Sequence, residues 1–306
     1  MELSSSTSEA ERIREANIRY HDVAASSYDC KWGIDYGELG RDQVLMKLTK
    51  ALGHEPGHYR RALEIGAGTG YFSLNLLRDG VIEHATATDI SAGMLERLAQ
   101  TAAEFALDVD TVKCDAEQLP FEDSSFDLVL GHAVLHHLPG LDRALAEFER
   151  VLVPGGTLVF MGEPSRYGDR IAALPKKLGH AAAPTWRRLV GAQLAANGSH
   201  EPESADHALE RIVDVHTFTP AELRAMAAAA GFEDTRVSGE ELLANVHGWL
   251  MRALEADATP ASVPRAWHLF AFRTYLALQW MDSTLLEPRL PAELFYNLLL
   301  SARKPG

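Results

Sequence analysis

The chain has 306 residues, 46% of them hydrophobic, and a formal net charge of −14. That length suits one α/β core with insertions, and the hydrophobic share supplies a sizeable buried core. A net field of this sign repels nucleic-acid backbones and anionic membrane surfaces, which argues against nucleic acid as substrate unless a local basic patch opposes the global charge.

The basic clusters Arg60–Arg61, Lys176–Lys177 and Arg187–Arg188 read as ordinary solvated surface. Cys30 and Cys114 form no CxxC pattern, and no His/Cys group has zinc spacing. No metal site is expected, and a reducing cytoplasm is the simplest compartment. The opening MELSSSTSEAERIREA has no apolar run of signal-peptide type, and no stretch of about 20 apolar residues could span a bilayer.

Residues 11–22 pattern as a helix, with Ile13, Ile18 and Tyr20 as its apolar positions. A second runs from Asp42 to Leu52, with Val44, Leu45, Leu48 and Leu52 at helical spacing and Gly53 placed to end it. Strands and helices then alternate: strand 62–66, helix 71–79 ending near Gly80, strand 85–90, and helix 91–105 with Ser91 as N-cap. After these come strand 111–114, the buried-type run FDLVLG (126–131), a helix striped by Leu141, Leu145, Phe148 and Leu152, and the strand TLVFMG (157–162). The alternation predicts βαβ units and a parallel sheet. The rhythm breaks after Glu163: residues 164–216, with Pro175, Pro184 and Pro202, read as mixed structure forming a mobile lid. Thr219-Pro220-Ala221-Glu222 has the form of a capping box opening a helix that Gly231 closes. Residues 235–237 suggest a strand, 241–286 have helical character, and 294–304 read as a final strand.

The decisive stretch is LEIGAGTGYFSL, residues 63–74. A triphosphate-binding loop needs GxxxxGK followed by Ser or Thr, and no lysine is near. A dinucleotide turn needs GxGxxG, but the glycines are Gly66, Gly68 and Gly70, and Tyr71 stands where the third would fall. Glu64, two residues before the first glycine, would repel a pyrophosphate. A phosphate-free nucleoside carrying positive groups suits that carboxylate, while backbone amides around Ala67 can meet its own carboxylate. Asp89 ends the second strand about 20 residues past the glycines, where an acid accepts from ribose hydroxyls; the alternative is a helix-capping role. Ile90 and Met94 would give apolar surface to an adenine.

These residues resemble the first motif of the class I S-adenosylmethionine-dependent methyltransferases, in particular the small-molecule type that includes quinone methyltransferases. KCDAEQLPFEDSSFD, residues 113–127, is similar to the family's D-A-E-x-L-P-F segment, and RVLVPGGTLVF, 150–160, to its helix–turn–strand. The resemblance covers residues 62–163. It implies a Rossmann-like, doubly wound α/β fold with a seven-stranded, mostly parallel sheet, the last strand antiparallel, and helical cap insertions. It implies S-adenosyl-L-methionine as cofactor, with Asp115, Ala116 and Glu117 on the adenine side and His132 facing the sulfonium and amino-acid end. RYHDVAASSYD, 19–29, is similar to the family's entry segment, so that Tyr28 would close over the cofactor; alternatively Tyr20 and Tyr28 simply pack a helix. Asp127 is expected to hold a turn.

On this reading residues 1–60 form an entry and lid segment, 61–163 the cofactor-binding core, and 164–306 the rest of the sheet with insertions near 164–216 and 241–290. His136 and His137 follow the fourth strand, and a histidine that titrates near neutrality suits the removal of an acceptor proton, with Glu163 to orient it. The expected reaction is O-methylation of a small or medium-sized, partly apolar metabolite such as a quinone, polyketide or glycolipid. PRAWHLFAFRTYLALQWMDSTLL, 264–286, is apolar over more than one helix face, which predicts a lining for that acceptor or a homodimer interface. A non-catalytic nucleoside-binding protein using that insert for a partner is the alternative; a nicotinamide oxidoreductase is disfavoured by Glu64, Tyr71 and the Asp115 segment.

Overall fold

The structure is a computed structural model and describes residues 8–25, 34–195 and 212–306. Tyr28 and Cys30 lie outside the described residues. The strands are β1 (Tyr59–Ile65), β2 (Ile82–Asp89), β3 (Val109–Lys113), β4 (Phe126–His132), β5 (Leu152–Pro164), β6 (Glu233–Glu240) and β7 (Asn297–Arg303). The helices are α1 (Glu9–Ala24), α2 (Glu38–Leu52), α3 (Tyr71–Arg78), α4 (Ala92–Glu104), α5 (Leu141–Val151), α6 (Arg166–Val190), α7 (Pro220–Ala229), α8 (Leu243–Glu255) and α9 (Arg265–Met281).

The strands form one seven-stranded sheet in the order β3-β2-β1-β4-β5-β7-β6. β7 runs antiparallel to both β5 and β6, and the pairs among β1 to β5 are parallel. Period-2 alternation sends successive side chains to opposite faces. Leu63, Ile65, Val129, Leu158 and Phe160 pack with Leu145 and Phe148 of α5 and Leu223 of α7. Ala62, Leu128, Leu130, Val159 and Met161 pack with Val44 and Leu48 of α2 and Phe72 and Leu76 of α3. Strands buried on both faces read as continuous apolar runs, which is why FDLVLG and TLVFMG were legible.

Local chemistry sets the boundaries. Thr219 and Glu222 form the reciprocal capping box at α7, and Ser91 accepts from the Met94 amide at α4. Gly53 ends α2 in the left-handed region. Asp127 accepts from the amides of Arg60 and Arg61 at 2.8 and 3.0 Å, tying β4 to the start of β1.

Two regions differ from expectation. Residues 166–190 are one 25-residue helix rather than mixed structure, with Pro175 and Pro184 inside it. Each proline removes an intrahelical bond, but the helix is seated along α8 by Gly179, whose added Cβ would come 2.5 Å from the Ala253 Cβ, and by the buried Ala172, Ala183 and Trp186. Tertiary packing overrides the breaker signal. The aromatic insert folds as α9, a surface helix on which only Gln279 is buried; its packing is against α8, with Trp267 5.2 Å from Trp186 of α6.

Candidate active site

The glycine-rich turn joins β1 to α3 at the carboxyl edge of the sheet. Gly66, Gly68 and Gly70 all have positive φ, at 61°, 53° and 89°. A Cβ on Gly66 would come 2.5 Å from Val134 and one on Gly70 2.7 Å from Leu98, so both are required by close packing as well as by backbone angle. A Cβ on Gly68 would meet nothing within 4 Å, because this residue faces an open cavity.

The cavity wall contains Gly66, Gly68, Asp89, Ile90, Asp115, Ala116, His132 and His137 of the expected residues. Asp89 is held by the Gly68 amide at 2.9 Å and the Ser91 amide at 2.8 Å, which fixes its carboxylate at the rim of the turn with lone pairs to spare. Asp115 accepts from the Glu117 amide at 2.9 Å and pairs with Arg14 at 2.5 Å. Burial pushes the imidazole of His132 down to about 3, with Lys47 adding to the effect, so this ring is neutral at pH 7; it stacks on Phe72. Burial also raises the thiol of Cys114, another wall residue, to about 11, which keeps it unreactive.

Several expected residues stand behind the wall. Glu64 lies on the α3 face of β1 and accepts from the amide of Ser73 at 2.9 Å and from its hydroxyl. Its carboxylate therefore satisfies an orphan donor in the first turn of α3 instead of facing a ligand. Burial raises its pKa to about 7. Met94 is fully buried against Ala25, Gly70 caps α3, and the Ala67 amide bonds the Thr88 carbonyl at 2.8 Å. Glu117 is bound by the Gly140 amide at 2.7 Å, by Arg14 at 2.7 Å and by Arg143, so it fastens loops rather than lining the cavity.

The expected catalytic residues separate in the same way. Glu163 is fully buried beneath the 3₁₀ turn Leu135–His137. One oxygen accepts from the amides of Val134 and Leu135 at 3.0 Å each; the other accepts from the His136 amide at 3.2 Å and from His136 Nδ1 at 2.8 Å. These donors compensate the burial of a carboxylate. They also fix the protonated nitrogen of His136 as Nδ1. His136 is buried and is not on the cavity wall. His137 is on the wall, and its Nδ1 donates to the Val213 carbonyl at 3.0 Å, leaving Nε2 as the nitrogen with a free lone pair. Burial and the neighbouring His136 hold His137 well below the ordinary histidine range, so it does not titrate near neutrality as expected: its Nε2 is unprotonated at pH 7 but less basic than a free imidazole. His136, His137 and Asp214 each place one potential ligand atom within 4.8 Å of the others. Asp214 Oδ1 stands 3.3 Å from His137 Nδ1 and 3.7 Å from His136 Nε2.

Helix α1 closes the cavity and was missed as a source of site residues. Arg14, Asn17 and His21 project one polar stripe from it onto the wall. Their i, i+3, i+7 spacing is visible in the sequence but identical to that of a solvated face. Asp22 fastens the helix by accepting from Ser91 Oγ at 2.5 Å and the Gly93 amide at 3.1 Å. Asn17 Nδ2 donates to the His137 carbonyl at 3.4 Å, while its Oδ1 is buried without a hydrogen-bond partner among the described residues. An unsatisfied acceptor beside two wall carboxylates calls for a ligand rich in donors, and the wall's cation, Arg14, is engaged by Asp115 and Glu117 rather than offered to a phosphate. Those features fit S-adenosylmethionine. No residue of α9 lines this cavity.

Comparison with known proteins agrees with this geometry. The family model described as a methyltransferase domain matches residues 63–160. A malonyl-[acyl-carrier protein] O-methyltransferase of Methylococcus capsulatus is 38% identical over 179 residues, covering 58% of this chain and 62% of that protein. Its namesake in Geobacter sulfurreducens is 30% identical over 228 residues, covering 74% and 73%. A ubiquinone/menaquinone biosynthesis C-methyltransferase of Cupriavidus necator is 32% identical over 154 residues, covering 50% and 62%. The chain thus spans less than two thirds of the first of these relatives. Among solved structures, a Haemonchus contortus phosphoethanolamine N-methyltransferase 2 in complex with S-adenosyl-L-methionine aligns with TM-score 0.59 at 17% identity, over 99% of this chain and 61% of that one, a likeness of fold. On the motif, the cavity and these matches together, the chain belongs to the class I S-adenosylmethionine-dependent methyltransferases.

Proposed function

We propose that this protein transfers a methyl group from S-adenosylmethionine to an oxygen of a small or medium-sized, partly apolar metabolite, with His137 receiving the acceptor's proton. The observation that carries the reading is one cavity whose wall joins the glycine turn, Asp89 and Asp115 to the unprotonated Nε2 of His137. Bound S-adenosylmethionine supplies an electrophilic methyl on a sulfonium: the acceptor oxygen bonds to the methyl carbon, the carbon–sulfur bond breaks, and a neutral thioether leaves. The chain's own part is alignment and proton removal.

Asp89 orients the ribose, and the Gly68 backbone allows close approach. Ile90 and Ala116 give apolar and amide contacts for the adenine. His132, neutral, adds no positive charge beside a sulfonium. His136, held by Glu163, sets the position of the turn that carries His137. This is a division of labour within the His136–His137 pair: the first positions and the second accepts the proton. His21 reaches the same wall from α1, its ring 5.8 Å from that of His137, and burial lowers its pKa.

The test is transfer of labelled methyl to hydroxyl and carboxyl acceptors. His137→Gln is expected to lower kcat about 100-fold or more, the usual scale for losing a general base, with S-adenosylhomocysteine affinity unchanged. Unaltered kcat would remove His137 from the mechanism. The C-methyltransferase name of one relative makes carbon the second candidate, and the chemical shift of the transferred methyl in the product distinguishes the two.

A further inference from the structure

The net charge of −14 conceals a basic helix. α6 carries Arg166, Arg170, Lys176, Lys177, Arg187 and Arg188 against one acid, Asp169. Of the two paired clusters, the structure separates inward from outward members. Lys176 lies over the Trp249 ring at 3.8 Å and Arg187 approaches Asp257 at 3.5 Å, both toward the cap. Arg170, Lys177 and Arg188 are exposed; at 3.6 residues per turn they form one row. Beside that row runs a second, made of Tyr167, Ile171, Leu174 and Leu178, at i, i+4, i+7 and i+11. All four are exposed, Leu174 by 63% and Leu178 by 57%, and Leu189 beyond them by 82%. The apolar row is about 16 Å long at 1.5 Å per residue. Monomeric proteins rarely set so many large aliphatic side chains in a line facing water.

We infer that the outer face of α6 docks on the surface of an anionic lipid bilayer, with the apolar row in the headgroup–acyl boundary and Arg170, Lys177 and Arg188 on lipid phosphates. Apolar and basic rows side by side on an exposed helix are the signature of an interfacial helix. The opposite face is committed to the protein: Gly168 and Gly179 admit Tyr296 and Ala253 at distances no Cβ would allow, so α6 is held flat on the cap. No helix among the described residues is long and apolar enough to cross a membrane, so the contact is with the surface. The global charge does not forbid it. At physiological salt a charge is screened beyond about 8 Å, so a bilayer touching α6 senses the basic row and not acids on distant faces. A second copy of the chain packed antiparallel on this face would set basic rows against each other, which disfavours that pairing. Only Ser165 separates α6 from β5, whose Glu163 holds the His136 turn, so the helix begins at the sheet edge on which the cavity opens.

The experiment is co-sedimentation of the full chain with vesicles of phosphatidylglycerol and phosphatidylcholine in equal parts, and of phosphatidylcholine alone. Binding is expected to the mixed vesicles, weakening as salt rises. Lys177→Ala should lower the partition about fivefold, the scale of one basic residue at an anionic surface, and the pair Leu174→Ser, Leu178→Ser about tenfold or more. Both sites are exposed, and circular dichroism and S-adenosylhomocysteine binding check that the variants stay folded. The inference is overturned if the chain fails to pellet with mixed vesicles, if the leucine pair binds as the parent does, or if sedimentation velocity shows that the same pair converts a dimer to a monomer.

Discussion

Glu64 and Asp89 sit on neighbouring strands, and the Thr88 hydroxyl bonds the Glu64 carbonyl at 2.8 Å between them, yet the two carboxylates serve different ends. Asp89 closes β2 and reaches the cavity. Glu64 stands one residue before the end of β1, on the face that looks into α3, and there it replaces a missing backbone acceptor. Strand parity settles this, and parity can be read only when the register of the whole sheet is known. The motif itself, GxGxG with an acid before it, was legible; the direction of that acid was not. The consequence is measurable. Burial raises Glu64 from 4.5 to about 7, so the folded chain keeps a proton that the unfolded chain releases. Its stabilising contribution is full below about pH 4.5 and is lost as pH rises through 7. Glu64→Gln cannot titrate. The unfolding free energy of the variant relative to the parent should therefore rise between pH 4.5 and 7, by about 3 kcal/mol at most. The buried neutral histidines have the opposite pH dependence but are common to both proteins and cancel. A difference independent of pH would contradict the placement of Glu64.

Helix α1 and helix α6 show why elements outside the repeating core are harder to read. The core elements were legible because both faces of each strand are apolar and the helices carry clean stripes and caps. α1 shows a polar stripe whose partners, Asp115, Glu117 and the His137 carbonyl, lie a hundred residues away in sequence, and a polar stripe facing a cavity is indistinguishable from one facing water. α6 contains two prolines that argue for a break, and only its packing on α8 keeps it continuous. α9 was legible as an apolar helix, but periodicity does not say which neighbour covers it, and most of its large side chains are left at the surface. The α1 clasp gives a prediction at this scale. Arg14 bridges Asp115 and Glu117 with about a quarter of its side chain exposed, which discounts the pair toward about 1 kcal/mol. Arg14→Ala should therefore speed the release of S-adenosylhomocysteine about fivefold in a stopped-flow displacement experiment, while the association rate stays close to that of the parent. An unchanged release rate would mean that α1 is not a closure over the cavity.

For the whole molecule, the seven-stranded sheet brings Asp89, Asp115 and His137 from three separate strand ends to one edge. The βαβ rhythm predicts this convergence, since ligands of open α/β sheets bind outside the carboxyl ends of the strands. Net charge proves a poorer guide at this scale, because the sum over 306 residues averages an acidic body with a basic, apolar helix. On the proposed function the cavity takes a phosphate-free nucleoside carrying positive groups, with Asp89 holding its ribose. The measurement is titration calorimetry with S-adenosylhomocysteine and with NAD, on the parent and on Asp89→Ala. S-adenosylhomocysteine is expected to bind and NAD not to, with at least about tenfold weaker affinity in the variant, the scale of losing a charged hydrogen-bond acceptor; binding of NAD without S-adenosylhomocysteine, or an affinity indifferent to Asp89, would overturn the assignment.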